Sequence, residues 1–298
     1  MANTETTEPS QTCANCGAIL TGAYCAECGQ SREDINRPFW TLATDTLDGL
    51  FSWDGRLLTT LRQLYTRPGR VARDYADGKR QSFTPPIRLY LIVSLVFFAA
   101  MTLSGVRIIA VNTSMSEAGP GISLTMFQPP GTSEPLNLTD EEREDFYALA
   151  RGLGNPESVI RIALRAAEDP RGTEEKTAAA ANQALILMVF VFILMNMALH
   201  PRTAVIRHVI HALYYHAAFL PVAGFLLIIA VWLDLPTGLA LGLIAAASLA
   251  SLSAYTLFDR GFYGSSWIGA VLRSLVILVV YSATTILVVT ALILVATL

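Results

Sequence analysis

Long apolar runs alternate with two polar regions along this chain. Five runs approach or exceed the roughly 20 residues a helix needs to cross a bilayer; they occupy 87–106, 178–199, 209–233, 237–258 and 267–295. The second is the plainest, with LILMVFVFILM at its centre. Arg88 and Arg107 rim the first and have to snorkel toward water. Pro221 divides the third and predicts a kink. The pattern is that of a multi-pass membrane domain over 87–298.

The region 31–86 has a different rhythm. Apolar residues from Phe39 and Trp40 through Leu50 and Trp53 to Leu64 and Tyr65 recur at roughly helical spacing. Asp54-Gly55 divides them into two amphipathic helices. Such faces suit a helix lying among lipid headgroups and equally one packed on the helix bundle. The second polar region, 107–177, opens with the Pro/Gly/Ser-rich PGISLTMFQPPGTSEP, which predicts no core of its own. Thr139-Asp-Glu-Glu142 is a capping box for a helix running to about Arg151. A second short helix is expected from Pro156 to about Asp169, with Val159, Ile160, Ala163 and Leu164 as its apolar stripe.

Composition agrees with the pattern. The chain is 53% hydrophobic and 15% charged, against about 25% charged in soluble domains. Residues 1–88 carry ten Lys/Arg and ten Asp/Glu, and 105–180 carry seven basic and twelve acidic side chains, a net −5. Arg67, Arg70, Arg73, Lys79, Arg80 and Arg88 precede the first run, Arg202 and Arg207 lie between the second and third, and Arg260 and Arg273 flank the link from fourth to fifth. An excess of Lys and Arg marks the cytoplasmic side. The N-terminus is then cytoplasmic, the acidic loop 107–177 extracytoplasmic and the C-terminus extracytoplasmic. MANTETTEPSQ lacks the basic and apolar regions of a secretory signal, so 1–12 is expected to be a disordered cytoplasmic N-terminus.

The chain has four cysteines, all in CANCGAILTGAYCAECGQ at 13–30. In a reducing compartment paired Cys-x-x-Cys knuckles read as a metal site rather than as disulfides. Cys13, Cys16, Cys25 and Cys28 supply the four thiolates of a tetrahedral structural zinc ion, with Gly17 and Gly29 turning the chain behind each knuckle. Iron or a redox dithiol is the alternative. A segment this short has no core without its metal. It contains no Lys or Arg, so it has nothing with which to hold a phosphate backbone, and nucleic acid is not an expected partner. The expected fold class is an all-α integral membrane protein: about five transmembrane helices, preceded by a small four-cysteine zinc ribbon and amphipathic cytoplasmic helices.

CxxCG…YCxxCGQ, the stretch DGRLLTTLRQLYTRPGRVARDYADGKRQSFTPPIRLYLIVSLVFF, IRHVIHALYYHAAF and YTLFDRGFYGSSW together resemble a bacterial membrane family, the domain of unknown function numbered 3667. The resemblance covers the chain except for the 107–177 loop. It implies a multi-pass inner-membrane protein with a cytoplasmic zinc ribbon, and it implies no activity.

Two further groups of residues carry candidate chemistry. In GKRQSFTPP, Gly78 is placed to end a helix and expose Lys79 and Arg80; with Arg67, Arg70 and Arg73 they form a candidate contact for anionic lipid or for a partner. Ordinary positive-inside anchoring explains the same charges. The four histidines fall within 200–216, and His208, His211 and Tyr215 share a helix face beside Arg207, with His216 directed elsewhere. Asp259 and Arg260, placed in a tight loop, are expected on the same side of the bundle and complete a candidate polar cluster. Such histidines bind metal, relay protons or donate to phosphate, or are merely satisfied by neighbouring helices. Tyr281, Thr284 and Thr285 either line a path or bond to their own helix. No nucleophile elbow, phosphate-binding Gly-rich loop or His-Glu-x-x-His is present, so no enzyme is expected. The favoured function is a membrane scaffold or adaptor whose ribbon docks a protein partner or a second copy of the chain, with membrane lipids around it. The alternative is a transporter or channel for a small solute, ion or lipid, with the ribbon as a cytoplasmic cap.

Overall fold

The structure is a computed structural model and describes residues 12–32, 55–116, 119–128, 135–233 and 237–297. The disordered segment expected at the N-terminus (but for residue 12) and the aromatic run at 39–53 lie outside the described residues. The described chain is mainly helical: α1 (Arg56–Thr66), α2 (Arg70–Ala76), α3 (Pro86–Ser104), α4 (Asp140–Gly152), α5 (Glu157–Glu168), α6 (Pro170–Leu199), α7 (Val205–Trp232), α8 (Thr237–Tyr263) and α9 (Trp267–Thr297). Strands β1 (Arg107–Ser116) and β2 (Gly119–Gln128) pair antiparallel between α3 and α4.

Four of the helices, α3, α6, α7 and α9, are long and apolar enough to cross a membrane, which makes this a multi-pass membrane protein. Five such spans were expected from the sequence. The remaining one falls on α8, a 27-residue helix in which several N-terminal side chains lie outside the described residues, so it is not among the four. The hairpin adds strands to a fold expected to be all helical. Its first strand, RIIAVNTSMS, carries β-branched residues, which favour extended backbone, and pairs with the second from Arg107↔Gln128 to Ser116↔Gly119.

The chain forms two compact units. The first comprises residues 1–96, 192–222 and 246–278. Its centre is the first half of α7, where every residue from Ile210 to Ala218 is buried. A helix covered on all its faces is a core helix rather than a surface one. Leu64 of α1, Val71, Ala72 and Tyr75 of α2, and Leu89 of α3 are buried in the same unit. The α1 and α2 helices are fixed to the bundle by backbone. Tyr65 donates to the Ala218 carbonyl at 2.8 Å. Gly69, at φ +74°, leaves no room for a Cβ against the Phe258 carbonyl and the Phe262 amide, and a Cβ on Gly261 would meet the Pro68 carbonyl. Helix α1, the second of the two amphipathic helices expected from the sequence, packs on the bundle; the first lies outside the described residues.

The second unit comprises 97–191, 223–245 and 279–298. Met101, Val106 and Val231 form a small core with Phe97, Leu227 and Ile228 against it. The capping box forms: Glu142 donates its amide to the Thr139 hydroxyl and its carboxylate accepts the Thr139 amide. Those bonds hold the Glu142 carboxyl below its ordinary range. Helix α5 buries Ile160 and Leu164 of its expected stripe together with Ala166 and Ala167, but leaves Val159 exposed, while β1 runs beside α5 and β2 beside α4.

Candidate functional site

The ribbon consists of the same knuckle twice. Cys13 donates its amide to the Ala18 carbonyl and Gly17 to that of Cys13; Cys25 and Gly29 repeat this with Gln30 and Cys25. Gly17 and Gly29 take φ of 79° and 73°, which only glycine adopts freely. Bridges Thr12–Ile19 and Tyr24–Ser31 close the two loops. The knuckles bring all four sulfurs within 4.8 Å of one another. Cys13 and Cys28 approach to 3.6 Å, and Cys16 and Cys25 to 3.5 Å. A tetrahedron of bonds of ~2.3 Å has edges of ~3.8 Å, so the donor set fits zinc. Amides of Cys16 and Asn15 donate toward the Cys13 sulfur and lower its thiol to about 7 against the effect of burial. Four thiolates could hold a metal ion and would leave no position for substrate.

Two ribbon side chains bind the segment 78–82 that precedes the first span. Gln30, only 2% exposed, donates to the Gly78 carbonyl at 2.8 Å and accepts the amides of Arg80 at 3.1 Å and Gln81 at 3.3 Å. Asn15 accepts the amide and hydroxyl of Ser82 at 3.1 and 2.9 Å. Segment 78–82 offers these groups because α2 ends there: Lys79 donates to Asp74 and Gly78 to Tyr75, with Gly78 at φ 107°. This pairing is a Schellman cap. Beyond it, the Thr84 amide donates to Thr60 of α1 and its carbonyl accepts Tyr214 of α7 at 2.7 Å. One short strip therefore joins ribbon, α1 and the central helix.

The five basic residues grouped from the sequence have different neighbours. Arg67 and Arg70 are exposed. Lys79 pairs with Asp74 at 3.0 Å, and Arg80 lies over the Tyr75 ring with Nε and one Nη unpartnered. Arg73 lies against Gly264 in the α8–α9 turn.

The histidine cluster also forms differently from its expected outline. Asp259, fully buried, binds His200 at 2.7 Å, with Arg273 at 3.7 Å on its other oxygen. It lies within α8 rather than in a loop, as does Arg260. His208 bonds the Tyr263 hydroxyl at 2.8 Å, and the Tyr263 ring stacks on His200 at 3.7 Å between centroids. His211 is fully buried among Phe192, Tyr215, Tyr255, Phe258, Phe262 and Tyr263, and neither ring nitrogen has a hydrogen-bond partner among the described residues. Tyr215 stacks on Phe192 at 4.9 Å. Arg207 lies over the Phe262 ring and pairs with Asp77 at 2.7 Å, and Arg260 turns to Trp267. His216, read as pointing elsewhere, is buried too, because α7 has neighbours on every side. Thr284 and Thr285 bond to carbonyls of their own helix.

Sequence reasoning missed Gln30, Asn15, His200 and Tyr263 as members of these sites. Tyr263 stands in FDRGFYGSSW and His200 closes a span, so both were visible as motif residues, though their partners were not. Residues 54–98, covering α1, α2, the strip and most of α3, match the model of a family described as a protein of unknown function, DUF3667. No curated protein and no solved structure matches the chain. The family match thus falls on the segment that carries the ribbon's attachment point.

Proposed function

We propose that the protein is a non-catalytic scaffold of the bacterial inner membrane, with a zinc-bound cytoplasmic ribbon that docks a protein partner from a fixed seat on its own membrane domain. The grip of Gln30 on Gly78, Arg80 and Gln81 carries this reading. It holds the ribbon in a defined position beside the first span, and Ile19 and Tyr24 remain exposed on it. The asymmetry of Lys and Arg in the flanks supports a cytoplasmic N-terminus and an extracytoplasmic C-terminus.

The test is cross-linked purification from native membranes with the unmodified protein, Cys25→Ser and Tyr24→Ala. A near-stoichiometric chain lost in both variants supports docking through the ribbon. Recovery of the protein alone in all three forms refutes it. A second reading, a transporter with the ribbon as a cap, draws on the buried His200–Asp259 pair, since ionisable groups inside membrane bundles mark pathways. Proteoliposome flux equal to that of empty vesicles would remove that reading.

A further inference from the structure

Three arginines from three helices meet around the turn Gly264–Ser266. Arg260 of α8 donates to the Ser265 carbonyl at 3.0 Å. Arg273 of α9 donates to the Ser265 hydroxyl at 3.1 Å. Arg73 of α2 lies so near that a Cβ on Gly264 would be 2.9 Å from one of its terminal nitrogens. The nearby carboxylate is Asp259, 3.7 Å from Arg273 and already bonded to His200. Each guanidinium has five donors, and the single bonds that Arg260 and Arg273 make to the turn leave most of that capacity for an anion. Elsewhere at this end of the unit the cations Lys79 and Arg207 are matched by Asp74 and Asp77. Around this turn, among the described residues, three positive charges face one negative.

We propose that the turn binds the phosphate of an anionic phospholipid headgroup between Arg73, Arg260 and Arg273. Planar guanidinium groups suit bidentate phosphate recognition. The membrane source is argued from Trp267, which is 58% exposed and whose ring lies 3.9 Å from the Arg260 guanidinium carbon. Tryptophan concentrates at the headgroup level. The candidate span of α9 begins at this residue, and Ile268, Leu272 and Val276 follow it with exposed apolar side chains that acyl chains can cover. The site depends on the multi-pass fold and not on the scaffold reading.

The experiment is native mass spectrometry of the full chain released from nanodiscs containing phosphatidylglycerol and phosphatidylcholine, for the unmodified protein, Arg73→Gln and Arg260→Gln. Thermal unfolding in detergent reports whether each variant is folded. Retention of phosphatidylglycerol is expected to exceed that of phosphatidylcholine and to fall about tenfold in Arg73→Gln, the loss of one charge-assisted hydrogen bond. Should Arg260→Gln fail to fold, the partly exposed Arg73 on α2 still decides the matter. Equal retention of the two lipids, or unchanged retention in folded Arg73→Gln, overturns the proposal. Displacement of the lipid by excess inorganic phosphate, with no advantage for the lipid, assigns the turn to free phosphate and overturns the lipid assignment.

Discussion

The side-chain amide of Gln30 donates to the backbone carbonyl of Gly78 at 2.8 Å, across 48 positions of sequence. The same side chain receives two amides through its oxygen, so a single buried glutamine satisfies three backbone groups of the strip. Left unmatched, such groups cost about 1–3 kcal/mol each. The ribbon is thus part of the fold of its unit rather than a tethered appendage.

Gln30→Ala should open the strip without emptying the ribbon. Trypsin cleavage after Lys79 or Arg80 is expected to accelerate by roughly tenfold or more, in proportion to the lost bonds, while zinc content stays unchanged. Cleavage at the unmodified rate would show that Gln30 does not hold the strip.

Metal removal should act more widely. The full chain is expected to carry one zinc per four cysteines, measurable by elemental analysis, and Cys25→Ser should lose it. Chelation should then expose Lys79 and Arg80 to trypsin as the glutamine variant does. Retention of stoichiometric metal by Cys25→Ser would place the ion elsewhere.

Three glycines separate strain from collision. Gly17 has φ +79° and nothing within 4 Å of a Cβ, so Gly17→Ala should cost only the left-handed penalty of about 1–2 kcal/mol. Gly261 is helical and unstrained, yet its Cβ would strike the Pro68 carbonyl. Gly69 combines both effects. Thermal unfolding in detergent should rank the alanine variants Gly17, Gly261, Gly69 from mildest to worst, and a Gly17 variant less stable than Gly69→Ala would contradict the packing.

The His200–Asp259 pair invites a double-mutant cycle. Asp259→Ala removes the buried acceptor of a half-buried His200 and should destabilise by about 1–3 kcal/mol. His200→Ala/Asp259→Ala should recover part of that loss, giving a coupling energy above about 0.5 kcal/mol. Strict additivity would mean that the contact contributes nothing.

The spans were readable because hydropathy is a property of contiguous residues, and a bilayer responds to that property directly. The Thr139–Glu142 box and the Gly78 cap were readable for a related reason, since both are completed within about five or six positions. His200 and Asp259 stand 59 positions apart, and nothing local to either names the other. His216 shows a subtler loss. A helical wheel sets it apart from His211 and Tyr215, yet its ring meets Phe192 as theirs do, because α7 has neighbours on every side. Likewise the Arg-Pro-Gly and Asp-Arg-Gly motifs were each visible alone, whereas their meeting through Gly69 and Gly261 belongs to the assembled fold.

That meeting also imposes an order of events on synthesis. Gly69 leaves the ribosome 192 residues before Gly261, the difference between their positions. At roughly 5–20 residues per second this is a delay of roughly 10–40 s. Throughout it α1, α2 and the ribbon's strip have no α8 backbone to close against. A nascent chain therefore passes through a window in which its most closely packed backbone junction is still half made, and whatever escorts it through the translocon has to tolerate an unfinished N-terminal segment waiting for its distant partner.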